Sequence, residues 1–100
     1  MALKVQHCKS AAEFFIKFSS GSKAYLQYAK LPNNVLDFQH TVTPDDQAGK
    51  GVARVLVKEG LKYAAENNFK VKPTCWYVAK YLDSDNSTKE EKELDIRHKI

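Results

Sequence analysis

The segment Gly49-Lys50-Gly51-Val52-Ala53 carries the residue types best suited to chemistry in this chain. Its glycines let the backbone approach a ligand closely, and a helix beginning near Val52 would leave its first N–H groups without internal partners. Those N–H groups and the helix dipole together form a site for an anion such as phosphate. A plain glycine turn before a helix is the alternative. The segment lacks the Gly-Lys-Ser/Thr of a Walker loop and the third glycine of a dinucleotide fingerprint.

Cys75 is a second candidate, since it follows Thr74 at the predicted start of a short helix. Thr74 is a favourable N-cap, and a thiolate in a first helical turn is stabilised by unpaired N–H groups and the dipole. Such a cysteine could accept an acyl group. The alternative is a small buried side chain, because cysteine is among the most often buried residue types. Cys8 has no comparable setting and is predicted to fill the core or an edge.

His40 is a candidate general base, since an imidazole can remove a proton from an ammonium group or relay it through water. Strand alternation predicts that His40 shares a face with Phe38 and Val42. A partly buried histidine with a structural role is therefore the alternative.

The elements that must position these residues can be predicted from periodicity. Alternating apolar residues and turn formers predict antiparallel strands over residues 3–8, 13–18, 24–29 and 35–43. Apolar residues at helical spacing predict a long helix from Val52 to about Asn67 with one face on the sheet. A short fifth strand over 69–73 and a second helix over 75–82 follow. Residues 83–88 are a polar loop, and 89–100 are predicted as a short charged helix or a frayed tail.

Length and composition limit the function classes. One hundred residues with 43% hydrophobic and 28% charged residues fit a single globular domain. The two cysteines lie far apart and lack metal-ligand spacing, so neither zinc nor a disulfide framework is expected and no metal site is predicted. No apolar run could span a bilayer or serve as a signal peptide, which predicts an intracellular, reducing compartment, cytoplasm or nucleus.

Charge is uneven along the chain. The first 82 residues carry 12 Lys or Arg against 6 Asp or Glu, whereas the remaining segment carries a net charge of −2. A basic body indicates an anionic partner. A nucleic acid is the weaker choice, because Lys4, Lys9, Lys17, Lys23 and Lys30 are scattered without a tight cluster.

The order of strand, Gly-x-Gly-x-Ala turn, long helix, short strand and short helix resembles the GNAT acyltransferases. Their Arg/Gln-x-x-Gly-x-Gly/Ala motif would correspond to the run from Ala48 to Ala53, with Ala48 departing from the pattern and Gln47 adjacent. The segments Asp37-Phe38-Gln39-His40-Thr41 and Thr74-Cys75-Trp76-Tyr77-Val78 are similar to a minimal branch of about a hundred residues, the N-acetyltransferase-domain-containing proteins.

This resemblance implies an α+β fold, a GNAT-like mixed and mostly antiparallel sheet of about five strands, with a long helix after strand 4 and a short helix after strand 5. The sheet is expected to open into a cleft between strands 4 and 5 that admits coenzyme A. Residues 1–82 would be a single GNAT-like acetyltransferase domain, and residues 83–100 a charged loop or tail that could contain a short helix.

The resemblance also implies acetyl-coenzyme A as cofactor and an unidentified amine as acceptor. The catalytic candidates are Cys75, His40 and Tyr77, the last presenting a hydroxyl to the departing thiolate, with aromatic packing as its alternative. Tyr81 is the second choice because it is farther from the cleft. The predicted cofactor-binding residues are Thr41, Val42, Gln47, Ala48, Gly49, Lys50, Gly51, Val52, Ala53 and Arg54.

The primary hypothesis is an acetyl-coenzyme A-dependent N-acetyltransferase in which the amine attacks the thioester directly, with transfer through acyl-Cys75 as a variant. The rival is a non-catalytic module that binds coenzyme A or another protein. The acceptor, the oligomeric state and the role of the tail stay open at this point.

Overall fold

The computed structural model describes residues 3–97. Within them the chain forms five strands, three α-helices and one short 3-10 helix. The strands are β1 (Gln6–Cys8), β2 (Glu13–Lys17), β3 (Lys23–Leu31), β4 (Val35–Val42) and β5 (Lys70–Lys72). The helices are α1 (Val52–Glu66), α2 (Trp76–Asp83) and α3 (Lys89–Leu94), and the 3-10 helix is Asp45–Gln47. No helix in this range is long and apolar enough to cross a membrane.

The five strands lie in one sheet in the order of the sequence. Neighbours are antiparallel except β4 and β5, which are parallel and connected through α1. Asn33 and Asn34 have φ values of 67° and 59° in the β3–β4 turn, a left-handed pair that asparagine tolerates and that tight hairpins use. The predicted fold class is confirmed.

The core lies between α1 and one face of the sheet. The helix buries residues at the predicted helical spacing, namely Val52, Leu56, Val57, Gly60, Leu61 and Ala64. Gly60 allows a close approach, because a Cβ there would lie 2.9 Å from Cδ2 of Leu26 and 3.0 Å from Cζ of Phe38. α2 adds Val78 and Leu82 to the same core.

β4 contains a bulge at Gln39 that changes which of its side chains face the core. On β3, Tyr28 pairs with Phe38, whereas the preceding residue Gln27 pairs with His40. Gln39 therefore has no partner on β3. Because side chains alternate between the two faces of a strand, one extra residue inverts the alternation that follows it.

The prediction that His40 and Val42 share a face with Phe38 is therefore wrong. After the bulge it is Thr41, opposite the buried Leu26, that lies on the core side. His40 and Val42 lie on the opposite side, which we call the open face, and both are exposed.

The segment after α2 packs back onto the fold. A capping box of Thr88 and Glu91 begins α3, and the Lys92 ammonium donates to the Leu82 carbonyl at 2.7 Å. Beyond α3, Asp95 forms a parallel bridge with Val71 of β5. The helix proposed for residues 89–100 is thus Lys89–Leu94, and the part of that prediction covering residues 98–100 lies outside the described residues.

Candidate active site

β4 and β5 separate after a short stretch of pairing, and we call the opening between them the fork. β5 pairs with Val35, Leu36 and Asp37 only, as far as the described residues show. The next carbonyl, that of Phe38, accepts a hydrogen bond of 2.8 Å from the N–H of Cys75, which leads into α2. The chain therefore turns away from β4 at the level of the bulge.

Past this point the edge of β4 is open on its β5 side. The N–H of Tyr28 donates to Ala12 beside β2, so every second residue of β3 directs its main-chain groups toward β2. Leu26 is one of these residues, and Thr41 lies opposite it. Thr41 therefore directs its own N–H and C=O away from β3 and into the fork.

Cys75 lines the fork from the α2 side. It is the N-cap residue of α2, it is 8% exposed, and its Sγ lies 3.5 Å from Oγ1 of Thr41. The prediction that Thr74 caps this helix is wrong, because its hydroxyl donates to the buried carboxylate of Asp37 instead. Burial of that carboxylate demands a hydrogen-bond partner, and the demand outweighs the capping preference.

The predicted phosphate turn is exposed and uncapped. Gly49 and Gly51 have φ values of 80° and 74°, which suit glycine, and Gly51 is the N-cap of α1. No side chain of the described chain caps this end, and the first turn of α1 contains no acidic residue. A Cβ on either glycine would meet nothing within 4 Å, so the backbone here is open to a ligand. These features fit a diphosphate bound by main-chain N–H groups.

Hydrogen bonds favour the charged form of the Asp46 carboxylate, which lies just before this turn. The Asp46 carboxylate accepts from the hydroxyls of Ser20 at 2.8 Å and Ser22 at 3.0 Å, and from the Gln47 amide at 3.3 Å. The bond from Ser20 contributes most to lowering the pKa of Asp46. Asp46 thereby ties the β2–β3 turn to the segment that leads into α1.

The two tyrosines of α2 differ in what their hydroxyls contact. The Tyr81 hydroxyl donates to Glu91 at 2.7 Å and accepts from the Lys58 ammonium at 2.9 Å, so it holds α1, α2 and α3 together. Tyr77 is half-buried, and burial raises its pKa while the charge of Arg54 acts in the opposite direction. Tyr77 is therefore the tyrosine within electrostatic reach of the first turn of α1.

The structure thus brings together only some of the predicted residues. Thr41 and Cys75 meet at the fork, and Tyr77 lies near Arg54 at the start of α1. Val42 and His40 lie on the other side of β4, one on each side of Thr41 in sequence. Among the described residues no group of three His, Cys, Asp or Glu could hold a metal ion.

Sequence reasoning missed Asp37 and Thr74 as a pair. Asp37 is 8% exposed at the last position of β4 that pairs with β5. Its hydrogen bond with Thr74 lies where the fork begins. An acidic residue inside an apolar strand was the available signal, because a buried carboxylate needs partners. Its partner lies 37 residues away, so spacing could not identify it.

A sheet that opens between strands 4 and 5, and a long uncapped helix that begins at a glycine turn after strand 4, are features of the class of GCN5-related N-acetyltransferase domains. The family model of the GCN5-related N-acetyltransferases matches residues 13–91 of this chain. The chain belongs to that family.

Individual relatives agree with this assignment. The chain is similar to Protein NATD1 of mouse, with 32% identity over 81 residues that cover 80% of this chain and 74% of the relative. Protein NATD1 of zebrafish is 33% identical with the same coverage. Among solved structures, a GCN5-like protein from Staphylococcus aureus matches with a TM-score of 0.72 at 23% identity, covering 94% of this chain and 88% of that one. This last likeness concerns the fold.

Proposed function

We propose that this protein transfers an acetyl group from acetyl-coenzyme A to an amine. The observation that carries the proposal is the uncapped, glycine-flanked start of α1, which is connected by residues 43–51 to the strand whose edge opens into the fork. Membership of an N-acetyltransferase family supports the reaction class.

The diphosphate of the cofactor would be held by the N–H groups of Gly51, Val52 and Ala53, assisted by the exposed charges of Lys50 and Arg54. Gln47, Ala48 and Gly49 come just before these N–H groups in the chain and would line the cofactor's path to them. When bound, the cofactor supplies an activated acetyl group as a thioester. Thr41 would flank its arm at the fork, where the free N–H of Thr41 can donate to a carbonyl oxygen. Val42, which was also predicted to bind the cofactor, lies on the open face instead.

Tyr77 is proposed as the group that protonates the departing thiolate. Its hydroxyl is protonated at neutral pH, and burial raises its pKa further. The hydroxyl of Tyr81 is already engaged by Glu91 and Lys58. This difference favours Tyr77 for the chemical role and Tyr81 for holding the helices.

His40 is proposed to accept the proton of the incoming ammonium group. It is exposed on the open face, one residue from Thr41 along the strand. Approach of the amine from the open face would bring it to His40, while the cofactor occupies the α1 side. The amine and the thioester would then reach the fork from opposite faces of the sheet, without competing for the same surface.

Cys75 provides the variant route, in which its sulfur takes the acetyl group before the amine does. Its Sγ lies at the fork, 3.5 Å from the Thr41 hydroxyl. Incubation with acetyl-coenzyme A followed by mass analysis of quenched peptides tests this route. Acetyl on the Cys75 peptide, absent in Cys75→Ser and unaffected by Cys8→Ser, would establish the covalent step. Turnover by Cys75→Ser at the wild-type rate would exclude it.

Cofactor binding can be measured with the single tryptophan of the chain, Trp76, which is 71% exposed and adjacent to Cys75. We expect a saturable change in its fluorescence on titration with acetyl-coenzyme A, and release of free thiol when a suitable amine is added. Absence of binding at millimolar cofactor, checked by calorimetry, would contradict the proposal.

A second candidate is a module that binds coenzyme A without catalysis. It is favoured by Ala48, which lacks the side-chain donor of the family motif, and by Gln47, whose amide is engaged by Asp46. Binding with no thiol release over a broad panel of amines would select this candidate.

A further inference from the structure

The open face of the sheet is a large surface that no helix of the described chain covers. α2 buries its apolar residues in the same core as α1, and α3 is joined to α1 by Lys58 and Glu91. All three helices therefore pack on one side of the sheet. Side chains on the other side include Phe15, Tyr25 and Val42, and none of these three is buried.

An aromatic row crosses the middle of the open face. Phe15 of β2 pairs with Tyr25 of β3, and Tyr25 pairs with Val42 of β4. The Lys23 ammonium lies 5.4 Å from the Phe15 ring centroid and 5.6 Å from that of Tyr25. The Lys17 ammonium lies 5.8 Å from the Phe15 ring centroid. The row therefore combines apolar area with positive charge.

Three lysines and two carboxylates have been placed on this face. Lys17 and Lys23 sit directly opposite each other on β2 and β3, and Lys72 is exposed on β5 beside Asp37. Glu13 pairs with Lys23 at 2.8 Å, and the buried Asp37 carboxylate accepts from the Thr74 hydroxyl. Lys17 and Lys72 are therefore the lysines of this set that form no ion pair with the described residues.

His40 lies between the two groups of lysines. On β3, its partner Gln27 is four residues from Lys23, which corresponds to about 13 Å along an extended chain. On the other side, Lys72 pairs with Asp37, three positions before His40 on β4. A ligand lying across the open face with its amine at His40 would thus meet lysines on both sides.

We propose that the open face binds an acidic polypeptide segment and that this segment presents the acceptor amine to His40. The proposal rests on the acetyl transfer proposed above and adds the class of substrate. Carboxylates before and after the amine would pair with Lys72 on one side and with Lys17 on the other. The aromatic row would supply the apolar contact between them.

Two other occupants fit this surface less well. A second copy of the chain placed face to face would bring lysines against lysines, and such like-charge contacts oppose association. Single-stranded nucleic acid binds by stacking bases on open aromatic faces. Here lysine ammonium groups stand over Phe15 and Tyr25, so stacking would first have to displace them. Carboxylates can pair with the lysines where they stand.

The test uses the full chain and a fluorescein-labelled peptide with a central lysine flanked by glutamates, compared with a peptide in which serines replace the glutamates. Anisotropy at low salt should show tighter binding of the glutamate peptide. In the double variant Lys17→Glu with Lys72→Gln, we expect its affinity to fall about tenfold. The matched control changes Lys62→Glu and Lys89→Gln, which makes the same change in net charge on exposed lysines of α1 and α3.

Equal binding of the two peptides, or an equal loss in the control variant, would overturn the proposal. Tighter binding of a single-stranded oligonucleotide than of the glutamate peptide would also overturn it, in favour of nucleic acid. Association of the chain with itself that weakens in the double variant would favour a second copy. Cofactor affinity, measured separately by calorimetry, should be unchanged in the control variant and in Lys72→Gln alone; Lys17→Glu is not judged by this measurement, because Lys17 lines one cavity with Gln47, Lys50 and Val52. Peptide binding without acetyl transfer would therefore refute the catalytic proposal alone.

Discussion

The starts of α1 and α3 contrast within one small domain. α3 begins with a complete capping box, in which Thr88 accepts from the N–H of Glu91 and Glu91 accepts from the N–H of Thr88. α1 is more than twice as long, yet it begins at a glycine with no side-chain cap and no acidic residue in its first turn. A protein that needed only stability would cap the longer helix. The contrast supports the proposal that the start of α1 binds the diphosphate of the cofactor.

The start of α2 is intermediate. Thr74 has the chemistry of a cap but donates to Asp37, and the N-cap position is taken by Cys75, whose side chain caps nothing. Its helix is eight residues long and is held by its buried residues and by Tyr81. The starts of the three helices therefore differ. The start of α1, which we call the open end, has no side-chain cap; the start of α2 lies beside the fork; and the start of α3, which we call the closed end, has a complete capping box.

The largest expected effect comes from closing the open end. Gly51→Asp would place a carboxylate where the diphosphate is proposed to bind. We expect acetyl-coenzyme A affinity to fall about a hundredfold, because a hydrogen bond to a charged group is lost and a like charge is added. Calorimetry measures this directly. Asn33→Asp is the control, because Asn33 also has a positive φ, 67°, and is exposed in the β3–β4 turn, at the opposite end of β4 from the start of α1. Equal affinity in the two variants would contradict the proposed role of the start of α1.

A smaller effect is expected from the intermediate start. Thr74→Val keeps the shape of the side chain but leaves the Asp37 carboxylate without its hydroxyl partner. We expect the free energy of unfolding to fall by about 2 kcal/mol, since a lost hydrogen bond to a buried charged group costs this much. Urea denaturation measures it. Thr74→Ser restores the donor and should recover most of the loss; if it does not, the hydrogen bond is not the cause.

At the closed end, the start of α3, we expect a substitution to change stability and not cofactor affinity. Thr88→Ala removes the cap of α3 and should lower the free energy of unfolding by about 1 kcal/mol. Cofactor affinity should not change, because α3 lies away from the proposed diphosphate site. Urea denaturation and calorimetry on the same sample give both values. A loss of affinity comparable to that of Gly51→Asp would remove the distinction between the two ends.

The smallest expected effect is on the pH dependence of stability, through His7 on the core side of the sheet. His7 stacks on Phe14 at 4.1 Å and contacts the Tyr28 hydroxyl at 2.6 Å, and burial, with a lesser contribution from Lys9, lowers its pKa below 6.5. Between the lowered pKa and 6.5 the unfolded chain binds more protons than the folded one. Stability should therefore be complete above about pH 6.5 and decline as the pH falls toward the lowered pKa.

Substitution of His7 by Phe should flatten that part of the stability curve, because it removes the imidazole that becomes partly buried on folding. Urea midpoints measured across the acidic range provide the comparison. An identical pH dependence in wild type and His7→Phe would show that His7 does not titrate between the two states.

Much of this fold follows from local patterns, and the exceptions share one physical cause. The strands around Phe14 and Leu26, the turn at Asn33-Asn34 and the helix from Val52 were predicted because periodicity and turn chemistry are local. The turn from Gly49 to Gly51 was predictable for the same reason. The bulge at Gln39 was not, since it depends on how β4 registers with β3.

The residues of the candidate site divide in the same way. Thr74 was expected to cap α2, and only the tertiary structure shows that a buried carboxylate on β4 takes its hydroxyl. The side of β4 on which His40 lies was likewise decided by tertiary pairing. The roles proposed for Cys75, His40 and Tyr77 stay predictions until the variants are measured.

Gln39 is the extra residue of the bulge in β4, beside the fork. His40 and Thr41 are neighbours in the chain, yet their side chains lie on opposite faces of the sheet. Removing Gln39 would restore simple alternation and leave Phe38 on the core side and His40 on the open face, each opposite its present partner on β3. The deletion would remove only the local bend and extra twist that a bulge gives a strand, so a loss of acetyl transfer with the fold retained would show that the bend beside the fork matters.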